Sequence, residues 1–239
     1  MQTLLTLGIS LIDVLALLWF VLVWIGYTRF SRKKSTVQKV GLIAEMNQVR
    51  KEWGIEITKR DNRIMDSQVI SGLIRKETFF ASTTMLILAS SLALMGVGDE
   101  VLHLFQNIPF AQKTTKILWE LKVLVLIIIF MFAFFKFTWS IRQHSYCATL
   151  LGSFPSANQS ETQKAKDKAK KLAELSSLAA SQFNNGLRAY YFALAALSWF
   201  YHPLAFIIAT TWVVSILYRR EYHSNAHAIL EGNTKKICL

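Results

Sequence analysis

Charged residues are scarce in this sequence. Asp, Glu, Lys and Arg make up 18% of the 239 residues, against about 25% in a typical soluble domain. Hydrophobic residues make up 53%, and the charges cluster between long apolar runs. Lipid cannot hydrogen-bond an open backbone, so only helices and closed barrels cross it. The runs are too long and too continuous for barrel strands, which alternate in polarity. The sequence therefore predicts an all-α, multi-spanning membrane protein.

Proline, glycine and cysteine are also few. Three prolines and ten glycines leave little room for long disordered linkers, and we expect a single membrane domain over residues 1–239. The two cysteines, Cys147 and Cys238, have no metal-type spacing, and we expect both in the cytoplasm, where thiols stay reduced. The N-terminus lacks the basic segment of a cleavable signal peptide.

Motifs for common chemistries are absent as well. The sequence has no phosphate-binding or dinucleotide-binding glycine loop, no zinc-protease helix motif and no serine nucleophile elbow. His223 and His227 have the spacing of a zinc-binding pair, but no third ligand is evident. We expect no catalytic residue, no metal and no cofactor, and the sequence argues weakly against an enzyme.

Acidic residues are outnumbered by basic ones, 15 to 27, which gives a net charge of +12. The basic residues flank apolar runs, so we expect the bilayer and its anionic headgroups as partners, and no nucleic acid. The apolar runs cover about residues 4–27, 79–97, 117–137 and 189–218.

Charge also predicts the topology. Residues 28–77 form a basic loop with twelve basic and six acidic residues, and residues 145–187 form a second charged loop. The positive-inside rule places both loops in the cytoplasm and the N-terminus outside. The last apolar run has His202 and Pro203 near its middle and arginines at both ends, which favours a hairpin. We therefore predict five transmembrane helices. The alternative is one long kinked helix and four transmembrane helices in total.

Both loops contain amphipathic patterns. In the first, apolar residues recur at helical spacing up to Trp53, and Gly54 is expected to end that helix. It lies on the membrane or the bundle base, or it is a solvated surface helix. In residues 145–187 one helical face consists of Ala165, Ala169, Leu172, Leu175, Ala179 and Phe183. We expect a solvated helix that packs lightly on its neighbours.

Asp13 is the most informative polar residue, because it lies inside the first apolar run. An unpaired carboxylate there costs about 2.5–3.5 kcal/mol. It continues a polar stripe from Thr3, Thr6 and Ser10, and the stripe should face the bundle or a water-filled cavity. One interpretation is a proton or cation site. The other, which we favour, is a structural bond to a neighbouring helix, with Lys122 as the preferred partner.

Four segments together resemble a known family. They are FFASTT at 79–84, AFFKFTWSIRQ at 133–143, FNNGLRAYYF at 183–192 and YRRE at 218–221. They resemble the domain of unknown function 599 family, uncharacterised membrane proteins of bacteria and plants. The resemblance spans most of the chain and implies a multi-spanning helical protein in the bacterial inner (plasma) membrane. It implies no activity and no catalytic residue.

Five basic residues fall near the predicted cytoplasmic surface: Lys136, Arg142, Arg188, Arg219 and Arg220. They are candidates for a ring around an anionic headgroup or a small anion. Simple positive-inside anchoring explains the same residues, and we favour it.

Three functions compete. The sequence favours a non-enzymatic helper, scaffold or assembly protein that binds a second copy of itself or another membrane protein. The alternative is a small channel or proton-coupled transporter that uses Asp13. A lipid-modifying enzyme is the third, and it lacks a visible nucleophile, base or metal set.

Overall fold

A computed structural model describes residues 10–36, 41–96 and 114–230, without the side chains of residues 35 and 36. Within these ranges the chain is helical and contains no strand, as predicted. The helices are α1 (Leu11–Thr36), α2 (Leu42–Thr58), α3 (Ile64–Gly96), α4 (Lys116–Gly152), α5 (Gln163–Leu197), α6 (Pro203–Tyr222) and α7 (Asn225–Leu230). Short 3₁₀ turns occupy Ala157–Gln159 and Ser198–Phe200.

Polar side chains begin most of these helices. The hydroxyl of Thr115 accepts a hydrogen bond from the Leu118 amide at 3.3 Å, and Thr162 does the same for Ala165 at 3.3 Å. His202 accepts from the Leu204 amide through Nδ1 at 3.1 Å. These contacts satisfy amides that have no partner inside the helix. Pro203 is the first residue of α6, where its missing N–H costs nothing.

In the part of the chain that the structure describes, three helices are long and apolar enough to cross a membrane: Leu11–Lys34, Ile64–Gly96 and Lys116–Gly152. They contain most of the first three predicted apolar runs. The prediction of five is not met by this measure, because the last apolar run is divided. The break at Ser198–Phe200 and Pro203 leaves α6 with 20 residues that end in charge, and α5 begins with lysines.

The chain divides into two compact units. The first unit contains Met1–Ser31, Thr83–Ala133 and Leu187–Arg219. The second unit contains Arg32–Ser82, Phe134–Gly186 and Arg220–Leu239.

Aromatic contacts order the helices of the first unit. Asp13 of α1 bonds to Trp199, just beyond α5, whereas Tyr27 lies against Arg188 earlier in α5. The two helices therefore run antiparallel there. Phe20 packs on Phe206 at a centroid distance of 5.0 Å, and ten residues later Phe30 packs on Tyr218. Because α1 runs parallel to α6, the end of α5 and α6 form an antiparallel hairpin.

The second unit has its own apolar core. Its buried residues are Ile57, Ile70, Cys147, Leu151, Phe154, Ala169 and Leu172. They come from α2, α3, α4, α5 and the turn after α4. Ala165, Ala169, Leu172, Ala179 and Phe183 of the predicted α5 face are all buried. The α5 face is therefore correctly predicted, and it packs more tightly than expected, since it forms part of this core.

Two glycines in the second unit allow close packing of helices. The helix α2 continues past Gly54 to Thr58, so the predicted end at Gly54 is wrong. A Cβ at Gly54 would lie 2.8 Å from the carbonyl oxygen of Ala169, and a Cβ at Gly186 would lie 2.5 Å from the ring of Phe137. Both positions therefore require glycine for contact between helices, not for termination.

Candidate functional site

Asp13 lies in the first unit and is 1% exposed. One carboxylate oxygen accepts a hydrogen bond from the indole N–H of Trp199 at 2.8 Å. The other accepts from the backbone amide of Ser10 at 3.3 Å. The carboxylate therefore joins the start of α1 to Trp199, in the 3₁₀ turn that follows α5. Thr3 and Thr6 of the predicted polar stripe lie outside the described residues.

Lys122 is also 1% exposed and lies near the same indole. Its ammonium nitrogen is 5.6 Å from the ring centroid of Trp199 and 6.0 Å from that of Phe200. Within the described residues this nitrogen has no hydrogen-bond partner. Asp13 and Lys122 thus meet around Trp199, and their direct pairing stays a prediction. A buried cation beside aromatic faces gains some attraction from the ring quadrupoles.

Arg188 is the buried member of the predicted basic ring, at 9% exposure. Its guanidinium donates to the hydroxyl of Ser31 at 2.7 Å and lies 5.5 Å from the ring centroid of Tyr27. Among the described residues no carboxylate pairs with it. The first unit therefore holds a buried positive charge that is compensated by a hydroxyl and an aromatic face.

The other four members of the predicted ring have different surroundings. Lys136, in the second unit, donates to the side-chain oxygen of Gln182 at 2.9 Å. Arg142, Arg219 and Arg220 are exposed. Arg219 belongs with Arg188 to the first unit, whereas Lys136, Arg142 and Arg220 belong to the second unit. A ring of all five stays a prediction.

A buried polar cluster in the second unit was missed by the sequence analysis. Glu77, Ser140 and His144 are at most 2% exposed. The Ser140 hydroxyl lies 2.7 Å from both Glu77 Oε1 and the carbonyl oxygen of Ala179, and it has one proton to donate to either acceptor. Nδ1 of His144 lies 2.9 Å and 3.0 Å from the two oxygens of Glu77. Glu77 therefore joins α3 to two successive turns of α4.

The order of these contacts argues against nucleophilic catalysis. A serine nucleophile needs a histidine in hydrogen-bond contact with its hydroxyl and an acid behind the histidine. Here the acid lies between Ser140 and His144. Within the described ranges His144 Nε2 also has no partner. What the contacts do is join α3 to α4, through the bonds of Glu77 to Ser140 and His144.

A sequence model of one protein family, described as a protein of unknown function, DUF599, matches residues 15–226 of this chain. The chain belongs to the DUF599 family. The family resemblance drawn from the sequence is thereby confirmed. Searches of curated proteins and of solved structures found no match.

The matched range of the DUF599 family covers the second-unit cluster and the whole predicted basic ring, and begins two residues after Asp13. One signal for the missed cluster was present in the sequence. Ser140, His144 and Cys147 follow at spacings of four and three, which places them on one helical face. The third predicted apolar run ends at Phe137 and the predicted loop begins at residue 145. Ser140 and His144 therefore fall between the two, and their shared face with Cys147 was overlooked.

Proposed function

We propose that this DUF599 protein is a non-enzymatic scaffold or assembly protein of the bacterial inner membrane that associates through α3. The observation that carries the proposal is the exposure of small residues on α3. Ala89, Ala93 and Gly96, all in the first unit, lie on the surface. A face of α3 made of small residues is therefore uncovered in the described structure.

Small residues matter because lipid provides no hydrophobic drive for helices to associate. Membrane helices associate when small side chains allow close backbone contact, as in small-xxx-small patterns. Ala89 and Ala93 form such a pattern, and a Cβ at Gly96 would meet no atom within 4 Å. A second copy of this chain, with the same face, is the partner we propose first.

The experiment introduces Ala93→Leu and measures self-association by fluorescence energy transfer between labelled copies in liposomes. We expect association to weaken about tenfold, because the larger side chain separates the backbones. Ala93→Ser keeps the small size and serves as the matched control, with association unchanged. Monomeric wild-type protein at every protein-to-lipid ratio would contradict the proposal of a second copy.

The proposed topology has five crossings, with the N-terminus outside and both charged loops in the cytoplasm. It is supported by the antiparallel hairpin of α5 and α6, whose turn at residues 198–202 contains the exposed Tyr201. The topology is tested with single cysteines introduced into a chain in which Cys238 has been replaced. We expect Tyr201→Cys to react with an impermeant maleimide in intact cells, and Lys164→Cys to react only after permeabilisation. Protection of Tyr201→Cys in intact cells would refute the external turn.

Lys122 favours a second candidate function, a proton-coupled transporter that uses Asp13. The observation is that its buried ammonium has no hydrogen-bond partner within the described part of the chain and lies beside the same indole as Asp13. Intramembrane charges often mark ion pathways. The test is proton flux in liposomes with Asp13→Asn, which keeps an acceptor for Trp199 and removes the charge. This candidate is refuted if the wild-type protein shows no proton flux, or if the flux of Asp13→Asn equals that of wild type.

A further inference from the structure

An apolar groove runs between α1 and α6 in the first unit. It has a volume of about 520 Å³, within the range of about 300–1,000 Å³ typical of ligand sites. Val23 and Gly26 line one wall, and Val214 and Ser215 line the other. The groove is open to the surface. Gly26 adds no side chain to its wall, and a Cβ there would meet nothing within 4 Å.

Two aromatic rings lie at one end of the groove. Phe30 of α1 and Tyr218 of α6 approach with a centroid distance of 6.4 Å. The lining of the groove is mostly apolar, and its two aromatic residues are exposed, Phe30 at 47% and Tyr218 at 37%. In a protein with helices apolar enough to cross a membrane, such a surface faces acyl chains. The groove therefore opens where lipid is the surrounding medium.

The aromatic end of the groove is also its positive end. Arg29 directly precedes Phe30 and Arg219 directly follows Tyr218, and both arginines are exposed. Arg188 lies against Tyr27, which also lines the groove. Among the described residues of α1, Asp13 is the one acid, and it lies toward the opposite end of that helix. On α6, Glu221 follows Arg219 by two positions, and its carboxylate accepts a hydrogen bond from the amide of Ile43. Basic residues therefore outnumber the acidic one along these helices at this end.

We infer that this groove binds one anionic phospholipid, with an acyl chain along Val23, Gly26 and Val214 and the phosphate beside Arg219. The apolar wall suits a hydrocarbon chain, and the arginines suit a phosphate, which guanidinium groups bind through paired N–H donors. A free phosphate would use the arginines alone, and a neutral lipid would use the groove alone. Only an anionic lipid uses both.

The experiment is native mass spectrometry of the full chain in detergent, titrated separately with dioleoyl phosphatidylglycerol and dioleoyl phosphatidylcholine. We expect wild type to bind one phosphatidylglycerol in preference to phosphatidylcholine. Gly26→Leu should weaken binding of both lipids about tenfold, because the new side chain displaces part of the acyl chain. Arg219→Gln should remove the preference for phosphatidylglycerol and leave phosphatidylcholine binding unchanged.

The matched control is Gly72→Leu, the same replacement at an exposed helical glycine of the second unit that also has nothing within 4 Å of its Cβ. Its lipid binding should equal that of wild type. Equal loss in Gly26→Leu and Gly72→Leu would overturn the groove as the binding site. Displacement of bound phosphatidylglycerol by inorganic phosphate would show that the arginines bind phosphate without the acyl chain, and would overturn the lipid assignment.

Discussion

Replacement of Glu77 by alanine should destabilise the second unit strongly. The carboxylate is 1% exposed and holds Ser140 at 2.7 Å and His144 at 2.9 Å. Its removal leaves the Nδ1 atom of a fully buried histidine without a partner, and it opens a cavity between α3 and α4. Breaking a buried pair of this kind costs about 3–5 kcal/mol. For a chain of this size each kcal/mol lowers the melting temperature by about 2–4 °C, so we expect a decrease of about 6–20 °C.

The assay is thermal unfolding in detergent, followed together with hydrogen exchange of the peptide that contains residues 138–147. Exchange provides a local measurement, because opening of the cluster exposes the amides of this part of α4 first. Glu77→Gln keeps the shape and one acceptor oxygen, so its loss should be smaller, about 1–3 kcal/mol. The double variant with His144→Ala should lose less than the sum of the single variants, since the two residues share one interaction.

The matched control is Glu56→Ala, which removes an exposed glutamate that pairs with Lys59 at 2.7 Å. We expect no measurable change in the melting temperature, because exposed ion pairs contribute little. If Glu77→Ala melts within the error of the Glu56→Ala control, and exchange of residues 138–147 is unchanged, the cluster does not stabilise the fold and the reasoning is refuted.

Two further predictions concern packing and charge. Gly186→Ala should lower the free energy of unfolding by about 1–3 kcal/mol in chemical denaturation, since its Cβ would lie 2.5 Å from the Phe137 ring. Adding Phe137→Leu to this variant should restore part of the loss. If the effects of the two substitutions simply add, the proposed clash is contradicted. The hydrogen bond and charge of Lys59 lower the pKa of Glu56. The small stabilisation from the Glu56–Lys59 pair is therefore present at neutral pH and lost as the pH falls through this lowered pKa. A carboxylate NMR titration of Glu56 at low and high salt tests this. The lowered pKa should move toward its ordinary value at high salt, because salt screens the pair.

The apolar runs predicted which helices are long and apolar, but not where those helices end. The second run was expected to begin at residue 79, whereas α3 begins at Ile64, because Lys, Arg and Glu favour helices as much as leucine does. Hydropathy indicates where a helix leaves the lipid and enters water. The helix itself continues past that boundary without a break. Residues 145–152, which the charge pattern places at the start of a loop, are the last turns of α4 for the same reason.

The α5 face could be predicted because its residues repeat at local spacing. The contacts of Asp13 could be predicted only in kind, since an interhelical bond was expected and the donor proved to be Trp199, 186 positions along the chain. Glu77 and His144 could not be paired from the sequence, because periodicity relates residues within one helix and carries no information on which helices meet. The exposed α3 face and the Gly26 groove depend on packing in the same way.

The Cys147 side chain is fully buried in the core of the second unit, beside Ile70 and Leu151. A thiol reagent reaches such a sulfur only when the surrounding helices open. With Cys238 replaced, the rate at which a reagent modifies the native Cys147 measures how often the second unit opens under native conditions. The chain thus contains its own probe of opening, in liposomes or in living cells, without an added dye or any engineered change in its core.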